Sequence, residues 1–139
     1  RQYLQRISGP LLDRLDIHIE VPRLQQDELM QKEAGETSSA IRDRVQRARE
    51  VQNRRYAGSG IFTNAQMHSK QIKQHCALSE SVREVLRAAI SQLNLSARAY
   101  DRILKVSRTI ADLAGSEEIT TAHVAEAINY RSLDRKYWA

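Results

Sequence analysis

One hundred and thirty-nine residues, 41% hydrophobic and 28% charged, make one ordinary globular domain and exclude a disordered chain. With 5% aromatic residues, five Gly and two Pro, the sequence lacks the turn content of a sandwich or barrel and points to helices. Seventeen Arg and five Lys against 17 Asp and Glu leave a net charge of +5, which permits nucleic-acid or phosphate contact without requiring it. No apolar run reaches membrane-spanning length, so no membrane partner is expected. The single cysteine, Cys76, rules out an internal disulfide and fits a reducing, cytoplasmic compartment.

The chain starts at Arg1 and reaches a strand-like segment within twenty residues, so we expect a piece of a longer protein. Ser8-Gly9-Pro10 reads as a helix start, with Pro10 at the first helical position where its missing N–H costs nothing. Leu11, Leu12 and Leu15 give one apolar turn. Ile17, Ile19 and Val21 then alternate with His18 and Glu20, a strand period ended by Pro22. A lone strand is not stable in water, so either its partners lie upstream or it pairs poorly here.

Residues 23–37 are polar and read as a linker. Helical spacing returns with Ile41, Val45, Ala48 and Val51 on one face. The same helix carries Arg42, Arg44, Arg47, Arg49, Arg54 and Arg55 against Asp43 and Glu50, and Gly58 and Gly60 stop it. Residues 61–78 are less periodic, with one short helix over Lys70–Cys76. Ser79 or Ser81 caps a helix with Val82, Val85, Leu86, Ala89, Ile90 and Leu93 inward. Ser96 caps the clearest helix, whose inward positions are Tyr100, Ile103, Leu104, Ser107, Ile110, Ala111 and Ala114, with Gly115 just past its end. Thr120 or Thr121 caps a last helix with Val124, Ala125 and Ile128 inward. The expected architecture is mostly α: a short α/β stub over 1–22, a linker over 23–37, and a helical bundle over 38–139.

The sequence has no G-x-x-x-x-G-K-[ST] phosphate loop and no G-x-G-x-x-G, so this chain alone should not hydrolyse nucleotide. His68, His75 and Cys76 are too few for a closed zinc site, and no metal ligand set is expected. No Ser-His-Asp spacing stands out. The arginines remain. Arg14 sits at a helix end, where a planar guanidinium can reach a phosphate across a subunit boundary, but spacing alone favours a salt bridge with Asp13, Asp16 or Glu20. Arg98 lies in the first turn of the Ser96 helix, where the dipole also favours an anion, but a solvated arginine near Asp101 or Asp112 is the simpler reading. Arg102, Lys105 and Arg108 continue that basic face. The helix over 42–55 has net charge +4 and can contact phosphates non-specifically or be solvated, and Tyr56 is the only aromatic within it or at its end.

Two stretches carry more. Tyr3–Pro22, with Ile7-Ser8-Gly9-Pro10 and Leu11-Leu12-Asp13-Arg14, resembles the end of the ATPase core of the magnesium-chelatase-like AAA+ proteins. Leu95–Leu113, with Leu95-Ser96-Ala97-Arg98-Ala99-Tyr100-Asp101-Arg102, resembles their helical lid. Both are most similar to the ComM-like (YifB) subfamily, and the resemblance covers essentially the whole chain, least well over 58–78. It implies the C-terminal lid and arginine-finger piece of a ring-forming ATPase. The phosphate loop, the acidic magnesium-binding motif and the first sensor would then lie upstream. By that resemblance Arg14 is the arginine finger acting in trans on a neighbour's γ-phosphate. Arg98 is the lid's nucleotide sensor, and Arg102 is a weaker candidate for that role. ATP and Mg are implied for the full-length protein, and none is expected bound by this piece. The implied partners are the upstream core, five further copies in a hexamer, and DNA, since ComM-like members are linked to branch migration in natural transformation. The alternatives are a magnesium-chelatase ATPase subunit, or a free-standing basic helical module that holds nucleic acid.

Overall fold

A computed structural model describes residues 6–31 and 33–131. The sequence-stretch ends 1–5 and 132–139, which fall in the expected stub and bundle, lie outside the described residues. Among the described residues seven α-helices follow in order: α1 Gly9–Arg14, α2 Gln26–Met30, α3 Ser38–Arg55, α4 Ser69–His75, α5 Glu80–Leu93, α6 Ala97–Leu113 and α7 Thr121–Asn129, with a 3-10 turn at Asn64–Gln66 between α3 and α4.

Ser8, Ser79 and Ser96, expected as caps, and Thr37, which falls at the end of the expected linker, accept a hydrogen bond from the third residue after them, each satisfying a donor that the helix itself leaves orphaned. Thr120 precedes α7, where its N–H donates to His123 Nδ1 at 3.0 Å. Asn94 closes α5 in the left-handed region (φ 49°), which Asn tolerates better than most residues. Gly115 does the same just past α6 (φ 68°).

α6 is the axis of the fold. It is packed on by α7, α3, α4, the 3-10 turn and α1. Its Ile103, Leu104, Val106 and Ala111 join Met67, Ile72, Cys76, Val82, Leu86, Ile119 and Val124 in one apolar core. Removing such side chains from water at about 25 cal/mol per Å² is what holds the helices together. Four expected inward positions are exposed instead: Val85 and Tyr100, which each keep 37% of their surface, and the small Ala114 and Ala125. In α3 only Ala48 and Gln52 are buried, and Ile41 and Val45 are exposed, so the first half of this helix projects beyond the bundle.

Two segments differ in detail from the expected outline. The segment Ile17–Val21 is extended but forms no strand, and no strand occurs among the described residues, so the α/β character of the stub is not seen. The alternation survives. His18 turns inward, with its N–H donating to Tyr130 O at 2.6 Å and its Nε2 2.9 Å from Leu12 O. Ile17, Ile19 and Val21 face outward with 48%, 67% and 85% of their surface exposed, because no second strand among the described residues covers them. The linker also is not wholly irregular. It contains α2, where the Gln25 N–H donates to Glu28 Oε2, but no residue of α2 is buried, and the segment remains a spacer.

Candidate functional site

α1 ends at the N-terminus of α6. Leu12 is the anchor, 2% exposed, and polar contacts fix the turn around it. Ser96 Oγ donates to Asp13 Oδ1 at 2.9 Å while also capping α6. Arg102 Nη1 reaches Asp16 Oδ1 at 2.6 Å. Arg131, just beyond α7 and 2% exposed, donates to Leu15 O at 2.9 Å and lies 3.7 Å from Asp13 Oδ1. An open pocket of about 550 Å³ runs between Pro10, Asp13 and the turn Leu93–Arg98.

Of Asp13, Asp16 and Glu20, the alternatives read from spacing as partners of Arg14, the first two are thus taken by Ser96, Arg131 and Arg102. Arg14, the last residue of α1, is exposed, and no ion pair holds it among the described residues. Arg98 in the first turn of α6 is likewise exposed with no ion pair among the described residues; Asp112 belongs to other arginines. Arg102 is committed to Asp16 and braces the turn. Arg131 has no signal in the sequence, since it meets its partners across more than a hundred residues.

The α3 arginines divide. Arg55 points inward and makes a bidentate pair with Asp112, at 2.6 and 2.7 Å, and a third bond to Asn64 Oδ1. The bonds to Asp112 hold its pKa above the ordinary arginine value. Asp112 also accepts from Arg108 Nε at 3.2 Å and Asn64 Nδ2 at 2.9 Å, with its own side chain fully buried. Arg108 then closes the turn after α6 through the carbonyls of Ser116 and Glu117. Arg55 is therefore a structural residue, and its place in a nucleic-acid-facing set is corrected. Arg44 pairs with Glu36, whose carboxyl this bond holds below the usual range. Arg42, Arg47, Arg49 and Arg54 are exposed, with no ion pair among the described residues.

Around the Asp112 node, burial dominates. It pushes the Cys76 thiol up to about 11 and lowers His75, which Arg55 and Arg108 lower further. Cys76 is a buried core residue whose Sγ lies 3.8 Å from Leu104 O. No group of His, Cys, Asp and Glu able to hold a metal occurs among the described residues. No helix among them is long and apolar enough to cross a membrane.

The model of the magnesium chelatase subunit ChlI C-terminal domain matches residues 35–131, and the model of magnesium chelatase subunit ChlI matches residues 1–29. The chain is 48% identical over 135 residues to the competence protein ComM of Haemophilus influenzae, and 41% identical over 136 residues to the uncharacterized protein YifB of Escherichia coli. It is 36% identical over 131 residues to the uncharacterized protein Rv2897c of Mycobacterium tuberculosis. These alignments cover 94–96% of this chain and 26% of each relative, so the chain spans about a quarter of their length.

Proposed function

Because the chain belongs to the magnesium chelatase subunit ChlI family, and so to the AAA+ proteins, we propose that it is the lid and arginine-finger segment of a ring-forming, DNA-processing ATPase. The observation that carries this reading is the division of charge at the α1–α6 corner. Asp13, Asp16, Arg102 and Arg131 are tied to one another and to Ser96. Arg14 and Arg98 are left facing solvent on elements those ties hold rigid.

Such an arrangement presents two pre-positioned guanidinium groups to an anion. Arg14 donates in trans to the γ-phosphate oxygens of a neighbouring subunit's ATP, where negative charge accumulates during transfer. Arg98 adds a second fork at the positive end of α6 and reports nucleotide state to the lid. The sequence has no phosphate loop and no group among the described residues could hold a metal; on this reading the nucleotide and its metal belong to the upstream core of the longer protein. The DNA assignment is supported by likeness to a competence protein and by the exposed arginines of α3.

The test is made in the longer protein. Arg14→Ala should lower the rate of ATP hydrolysis by about a thousandfold or more, the usual scale for an arginine finger, with ATP affinity unchanged. Hydrolysis at the wild-type rate would refute the finger assignment.

A further inference from the structure

The turn after α3 is pinned from several sides. The Asn64 N–H donates to Gln52 Oε1 at 2.9 Å, and Asn64 Nδ2 donates to Thr109 Oγ1 and Asp112. Lys105 Nζ donates to Ala65 O at 3.2 Å, and the N–H groups of Phe62 and Thr63 both donate to Gln66 Oε1. This over-determined backbone presents a side chain that has not been buried. Phe62 keeps 69% of its surface, more than any other aromatic residue among those described.

A single exposed apolar residue means little. Phe62 differs in what stands beside it. It forms one wall of a groove of about 340 Å³ whose other wall is a face of α3, with Val45, Gln46, Arg49 and Asn53. Gln46 and Asn53 make no hydrogen bond among the described residues, so their amides are open to a polar ligand edge. Arg42 falls seven residues before Arg49, on the same edge of the helix by its 3.6-residue period. Arg47 and Arg54 lie on the opposite flank by the same period. The groove thus joins a rigid aromatic face, free amides and two cations on one side of a projecting helix.

We propose that this groove binds an unpaired DNA strand, with a base stacked on Phe62 and phosphates on Arg49 and Arg42. The proposal rests on the DNA-processing reading above and deepens it by choosing the strand form and the residues. A duplex hides its base faces in its own stack, whereas a single strand offers them, and aromatic stacking tolerates any base. The amides meet base edges or sugar without fixing a sequence.

The test uses this chain with a fluorescently labelled oligo(dT) and with a duplex of mixed sequence, titrated at several salt concentrations. The wild type should bind the single strand more tightly than the duplex. Phe62→Ala should weaken oligo(dT) binding about tenfold or more, and Phe62→Trp should restore it. Arg49→Gln should weaken binding and make the salt slope shallower by about 0.7, one phosphate's worth for a single strand. Arg47→Gln, on the other flank, should weaken it less. Because Phe62 is exposed, its variants should keep the wild-type melting temperature. Phe62→Ala or Phe62→Leu binding like the wild type would overturn base stacking in this groove. If binding were still salt-dependent and sensitive to Arg47→Gln, the broader DNA reading would stand. No salt-dependent binding of either strand form by the wild type would overturn both. Self-association of the wild type, abolished by Phe62→Ala, would also overturn the proposal by marking the groove as a protein interface.

Discussion

The two ends of α6 use arginine in opposite ways. At the C-terminal end, Arg55 and Arg108 converge on the fully buried carboxylate of Asp112, and each makes three hydrogen bonds inside the chain. At the N-terminal end, Asp13 and Asp16 are taken by Ser96, Arg131 and Arg102, and Arg14 and Arg98 stay in solvent. Residue type does not separate these groups; the presence of a carboxylate at the right place in the fold does. A satisfied arginine holds the structure, and one left exposed on a rigid element is available to a ligand.

The contrast is broken most forcefully at Asp112. Asp112→Ala leaves the buried Arg108 guanidinium, the part-buried Arg55 guanidinium and the Asn64 amide without their shared acceptor, and should cost about 3–5 kcal/mol of stability in a urea titration. A loss below about 1 kcal/mol would mean that the node is not the lock described. Cys76, packed beside this node, sharpens the same point. Its thiol is raised from 9.0 to about 11 by burial, so folded chain stays un-ionised while unfolded chain begins to ionise near pH 9. Stability from this group should therefore hold below pH 9 and fall as pH climbs from 9 to 11. At pH 8.5, alkylation of the native chain should be far slower than that of the urea-unfolded chain, and equal rates would contradict the burial. The smallest effect is expected at the other end. The Arg102–Asp16 pair is partly exposed, so a double-mutant cycle to Ala should yield a coupling of about 1 kcal/mol or less. A coupling of several kcal/mol would make this end a lock too.

The helices were legible because their signals are local. Ser79, Ser96 and the three- and four-residue spacing of Val82, Leu86, Ile103 and Ala111 each act within one or two turns. The strand over Ile17–Val21 was not, because a strand needs a partner that a period-2 pattern cannot supply. The site was legible only in part. Family resemblance picked out Arg14 and Arg98, which the structure leaves exposed, whereas spacing paired Arg14 with Asp13, Asp16 or Glu20. Arg55 looked like one more surface arginine, because Asp112 is 57 residues away in sequence. Arg108 and Asp112, four residues apart on one helix, were the part of that node local spacing could have shown. Phe62 carried no pattern, since its meaning comes from the groove beside it.

The central claim, that Arg14 serves a neighbouring subunit's nucleotide, is tested most directly by mixing two inactive forms of the longer protein. One carries Arg14→Ala, and the other carries a substitution of the phosphate-loop lysine expected in the proposed upstream core. If Arg14 acts in trans, each form alone is inactive, and the mixture regains ATP hydrolysis where an intact finger meets an intact loop. An Arg14→Ala protein that hydrolyses ATP normally alone, or a mixture that assembles yet stays inactive, would contradict the account.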